Sequence, residues 1–77
     1  MNNPRRKQLQ KAIELLASAR EIIESVRDDE QEAFDNMPES LQYSERGERM
    51  EENVEVLGEA IEYVEEYENA LDDIINE

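Results

Sequence analysis

The chain has no cysteine, no histidine and no tryptophan, only two glycines and two prolines, and no lysine or arginine after Arg49. Each absence excludes something. Without cysteine there is neither a disulfide framework nor a thiolate nucleophile, and without histidine the usual nitrogen ligand of transition metals is missing. So few glycines leave no Gly-rich loop to cradle a phosphate. No apolar run approaches the ~20 residues of a membrane span. The opening Arg5-Arg6-Lys7 is basic, but the stretch Leu9 to Ala19 is broken by Gln10, Lys11, Glu14 and Ser18, so it is no signal-peptide core. With one Phe and three Tyr the composition leans toward disorder, yet the apolar residues recur at helical periods along both halves, and order is the expectation.

What the chain has in excess is negative charge: 22 Asp and Glu against 8 Lys and Arg, a net charge of −14 over 77 residues. Such a surface repels nucleic acid and anionic lipid and attracts basic proteins, and it keeps a chain soluble. With no signal-peptide core and no membrane span the expectation is a soluble, intracellular protein, and the charge adds that it contacts neither nucleic acid nor membrane directly. One domain is the most this length allows, and a monomer this small buries only ~60% of the surface its unfolded form exposes. Burial through a homo-oligomer would add what the monomer lacks.

Helical periodicity sets the architecture. With Met50 as position a of a heptad, Leu57, Val64 and Leu71 follow at a, and Ala60, Tyr67 and Ile74 at d. In the first half Leu9, Leu16, Ile23 and Met37 share one heptad position, interrupted by Glu30, and Ala12, Ala19, Val26 and Ala33 share another. Ile13, Leu15, Ile22 and Phe34 widen that face beyond a two-stranded seam. The expectation is an all-α, coiled-coil-like antiparallel two-helix hairpin over 1–77 that dimerises into a four-helix bundle. Leu9, Leu16, Ile23, Val54, Leu57, Ile61, Val64, Tyr67 and Leu71 would form the oligomer interface. Tyr67 is expected in the core. Tyr63, at the edge of the apolar face, either packs along the seam with its phenol in water or anchors an interface. For Glu30 the readings are fraying of the register near the hairpin end, or a buried polar group that sets oligomer register.

The break between the helices is marked by Asn36 and Pro38, which push the chain out of the helical region. Helix 1 should run from about Pro4, a first-turn proline, to Asn36, and helix 2 from about Glu45 to Asn76, with Ser44 as its N-cap. The linker 37–44 can hold one turn beginning at Pro38, with Leu41 and Tyr43 closing over the hairpin end. Gly47 either permits close backbone approach or softens the helix start, while Gly58 lies on the polar face. Rods of about 48 Å joined by a short linker pack antiparallel. That sets the basic cluster Arg5, Arg6, Lys7 and Lys11 beside Glu65, Glu66, Glu68, Asp72 and Asp73, as a structural complement rather than a phosphate site.

Carboxylates alone do not make chemistry here. A di-iron bundle needs a Glu-x-x-His pair, an EF-hand needs alternating oxygen ligands around a central Gly, and the run Asp28-Asp29-Glu30 points its side chains in different directions. The serines have no adjacent base. Neither enzyme activity nor a cofactor is expected. The feature that stands out is a stripe: between Met50 and Glu77 lie eleven carboxylates and no cation. Glu48, Glu52, Glu55, Glu59, Glu62, Glu66 and Asp73, with Asn69 among them, recur at steps of three and four along one line of the second helix. This acidic face is the candidate partner-binding surface.

The central stretch from Asp29 to Glu51, with Glu30-Gln-Glu-Ala-Phe-Asp-Asn-Met-Pro-Glu-Ser40 at its heart, resembles small acidic helical proteins of bacteriophages and prophages. In these a similar segment, commonly with Leu where this chain has Met37, joins a charged helix to an Ala- and Glu-rich second helix. The resemblance is tight over the linker and loose over both helices, and it carries no assigned activity and no functional residues. It implies a phage or prophage origin and a bacterial cytoplasm. The expected function is a non-enzymatic interaction module that inhibits a basic-patch host protein through its acidic face. In a sharper version it is a DNA mimic acting on a DNA-binding enzyme, because carboxylates every 5 to 6 Å approximate the roughly 7 Å spacing of phosphates. The alternative is a structural or assembly bundle of a virion whose acidic face serves solubility.

Overall fold

The computed structural model describes residues 1–77 as three helices: α1 (Asn3–Asp35), a single turn α2 (Glu39–Gln42) and α3 (Glu45–Ile75). α1 and α3 pack side by side along nearly their whole length and form a rod 58 Å long and 14 by 13 Å across.

Local signals place each boundary. The Asn2 side chain accepts a hydrogen bond from Arg5 N–H at 2.9 Å, capping the first turn of α1 one residue earlier than Pro4 alone suggests. α1 ends at Asp35, and Pro38 then starts α2, whose carbonyl accepts from the Leu41 and Gln42 amides at 2.8 and 3.1 Å. Ser44 caps α3 as its sequence position implied, its hydroxyl oxygen accepting from Gly47 N–H at 3.3 Å. The same hydroxyl donates to the Leu41 carbonyl, which ties the connector to the start of α3. Gly47 is buried because this corner is tight. A Cβ there would sit 2.6 Å from the Leu41 carbonyl oxygen and closer still to that of Gln42. Close approach is thus the reason for this glycine.

The seam follows an alternating three–four spacing on both helices. On α1 it runs Arg6, Leu9, Ile13, Leu16, Arg20, Ile23, Arg27, Glu30 and Phe34, and continues to Met37, every one partly buried. On α3 it runs Gly47, Met50, Val54, Leu57, Ile61, Val64, Glu68, Leu71 and Ile75, with Ile61, 5% exposed, the one buried apolar side chain. This seam is rotated from the expected one. Ile13 and Phe34 face inward where Ala12 and Ala33 were expected, and on α3 Val54 and Ile61, expected at an oligomer interface, line the seam in place of the Ala60 and Tyr67 positions, while Ile74 and Ile75 are both partly buried. Tyr67 is not core: it is 59% exposed. On α1 the larger Ile13 and Phe34 win the inward position over alanines because they remove more apolar area from water.

Two further expectations fail at the ends. Leu41 and Tyr43 do not close the hairpin, being 49% and 78% exposed. α2 instead turns Gln42 inward, where its amide donates to the Phe34 carbonyl at 3.0 Å and satisfies a helix-end acceptor. At the other end the basic cluster makes no ion pair; Arg6 donates to the Glu77 carbonyl at 3.2 Å, and Arg5, Lys7 and Lys11 are exposed. No helix is long and apolar enough to cross a membrane.

Candidate interaction surfaces

The rotation of the seam decides which residues are left outside. Glu48, Glu52, Glu55, Glu59, Glu62, Glu66 and Asp73 are all exposed. They lie on the side of α3 opposite its seam positions, so none is used in holding the hairpin together. At about 1.5 Å rise per residue the row is roughly 37 Å long. α1 carries a shorter counterpart, Glu14, Glu21, Asp28 and Asp35, also exposed and directed away from α3.

One carboxylate of the second half is withdrawn from that population. Glu68 occupies a seam position, and its side chain, 14% exposed, takes a hydrogen bond from Arg20 Nε at 2.8 Å. Arg20 Nη1 reaches Glu24 at 3.0 Å and stands 4.0 Å from Glu65. These bonds, to Glu68 first and then Glu24, raise the guanidinium pKa above its ordinary value, so Arg20 stays charged throughout the accessible pH range. A second polar crossing joins Glu30 to Asn53 Nδ2 at 3.1 Å. The register therefore does not fray at Glu30, since Phe34 and Met37 continue the same spacing beyond it.

No family model, curated protein or solved structure matches this chain. Function is left to its surfaces. No three acidic groups converge on a point that could hold a metal ion. A groove of about 470 Å³ lies between the helices, lined by Val26, Glu30, Glu52, Asn53, Val56 and Leu57. It brings Val26 of α1 and Val56 of α3 to the same side of the rod. The Arg20, Glu24, Glu65 and Glu68 network marks the other side.

Of the residues expected at an oligomer interface, Leu9, Leu16, Ile23, Val54, Leu57, Ile61, Val64 and Leu71 line the seam within the chain, and Tyr67 stands outside it. Sequence alone leaves open whether Arg20 and Arg27 flank the seam as inter-helix salt bridges or face a partner, and the structure makes Arg20 the centre of cross-helix pairing. Its signal was available: it falls seven residues after Ile13 and seven before Arg27, on the line that ends at Phe34.

Proposed function

We propose that this protein is a non-enzymatic interaction module: a helical hairpin that pairs with a second copy and presents the acidic row of α3 to a basic surface on another protein. The observation that carries the reading is the row itself. Seven exposed carboxylates with no cation among them, on a face the fold does not use, form a field that attracts a cationic groove and speeds its capture. Their spacing of about 5 to 6 Å supports a DNA-binding enzyme as the target, with the row standing in for backbone phosphates. The resemblance of the linker to phage proteins supports a bacterial host enzyme that is inhibited.

The test is a pull-down with tagged protein from bacterial lysate at low salt, eluted by a salt gradient, with and without competing duplex DNA. Recovery of a DNA-binding enzyme that DNA displaces is the expected result. Glu48→Lys, Glu55→Lys and Glu62→Lys together should abolish that recovery while far-UV circular dichroism stays helical. Retained binding in the triple variant overturns the acidic-row reading. Self-association without any captured enzyme would instead favour a structural bundle whose acidic face serves solubility.

A further inference from the structure

The seam leaves a second apolar stripe on each helix. Leu15, Ile22 and Val26 on α1 are 64%, 66% and 49% exposed, and Val56, Tyr63 and Tyr67 on α3 are 56%, 58% and 59% exposed. Both stripes keep the three–four spacing, and each flanks its seam by the same rotation about the helix axis. In an antiparallel pair, equal rotations bring the stripes onto one side of the rod, and the groove that unites Val26 with Val56 marks that side. The result is one apolar face along the hairpin. With roughly 100 Å² exposed by each of these six side chains, it presents about 600 Å² before its alanines are counted. That is the upper end of the roughly 300–600 Å² that the largest patch of a monomeric protein exposes, and a stable interface takes about 800 Å² per partner.

We infer that this face packs against the same face of a second copy, with the two hairpins side by side and their connectors at the same end of a four-helix bundle. The inference rests on the self-association part of the proposed function and names the surface and orientation through which it occurs. Size and charge both select this arrangement. A two-fold axis along the rod sets α3 of one copy over α1 of the other at the same level. With Arg20 level with Glu65 and Glu30 with Asn53, Tyr67 then meets Ala19 of the second copy, and Ala70 meets Leu15. Large meets small at these two levels, as interdigitation requires, and at the next level Tyr63 meets Ile22 as a broad apolar contact.

The rims agree. Glu52, Glu59, Glu66 and Asp73 border the face on α3, and Glu32, Ser25, Ser18 and Lys11 border it at the same levels on α1. The same-end arrangement sets three of the four acidic rim side chains against serines and a lysine, and only Glu52 against another carboxylate, Glu32. The opposite-end arrangement would stack α3 on α3, with acidic rim against acidic rim, at a cost in repulsion.

Sedimentation of the intact chain should give twice the 9.0 kDa monomer mass. Ile22→Glu with Tyr67→Glu alters only exposed side chains, so it should weaken the dimer at least tenfold without touching the seam. For orientation, Ser40→Cys supplies a single spin-label site, because the chain has no cysteine of its own. Pulsed dipolar spectroscopy should read about 20–30 Å between the two connectors. A monomeric wild-type chain overturns both the self-association reading and this one. A dimer indifferent to the double variant overturns the face alone, and a distance near the 58 Å rod length overturns the orientation. Should the double variant unfold, the spin-label distance on the otherwise wild-type chain still decides.

Discussion

The two glycines of α3 should respond to alanine in opposite directions. At Gly58 a Cβ meets nothing within 4 Å. There Gly→Ala removes unfolded-state freedom and adds helix propensity, worth about 0.5–1 kcal/mol. At Gly47 the propensity gain is the same or smaller, but the added carbon lies 2.6 Å from one backbone oxygen and nearer to another. Both belong to the connector, which cannot rotate away as a side chain can. Relief requires α2 to lift off α3, which weakens the Ser44 cap, itself worth about 1 kcal/mol, and strains the corner by roughly 1–3 kcal/mol. The balance is a net loss of about 1–2 kcal/mol. For a chain of this size each kcal/mol moves the melting temperature by about 4–8 °C. Thermal unfolding followed by far-UV circular dichroism at one fixed protein concentration should therefore show Gly47→Ala melting about 5–10 °C below wild type and Gly58→Ala a few degrees above it. If both variants melt higher than wild type, the close approach at Gly47 is not what the residue is for.

Three other outcomes follow from the packing. Ile61→Ala empties the only buried apolar position and should cost about 2–4 kcal/mol, leaving the chain largely unfolded near 37 °C by circular dichroism; a loss under 1 kcal/mol would mean the seam re-packs freely. Glu30→Leu should raise stability by about 1 kcal/mol in denaturant titration, because its partner Asn53 is exposed and can turn to water, so a decrease would show that the pair stabilises the hairpin. Raising NaCl from about 0.01 to 1 M shortens the Debye length from ~30 to ~3 Å, and with a net charge of −14 the melting temperature should rise; a fall would mean that the Arg20 bridges outweigh the self-repulsion.

The residues at the ends of the helices made much of this fold legible. Pro38 and Ser44 carry their own local physics, so the linker and the start of α3 could be read from a few neighbours. The rotation of the seam could not. A wide apolar face offers two stripes about 50° apart, and both keep heptad spacing. Selection falls to contacts remote in sequence, such as Arg20 with Glu68, and to the size difference between Ile13 and Ala12. The connector failed for the same reason: whether Gln42 or Leu41 turns inward depends on the Phe34 carbonyl that awaits it. The acidic row was legible as a line on α3, because helical spacing alone places its members together, and its exposure follows from the seam lying opposite. The exposed apolar face was legible in part: Leu15 and Ile22 widen the apolar side of α1 beyond a two-stranded seam and Tyr63 falls at the edge of α3's, whereas Val26 and Tyr67 read as inside positions.

A rod with one buried apolar side chain places few demands on what its residues are and many on where they fall. Most of its positions touch water, and surface substitutions usually change stability by less than about 0.5 kcal/mol. A lineage carrying this shape can replace most of its letters while preserving the three–four rhythm, and remain the same object. The exceptions are few: Gly47 at the corner, Ile61 at the centre, and the Arg20–Glu68 crossing that fixes the rotation. Kinship among such hairpins should be sought in rhythm, length and those fixed points rather than in letter-by-letter identity.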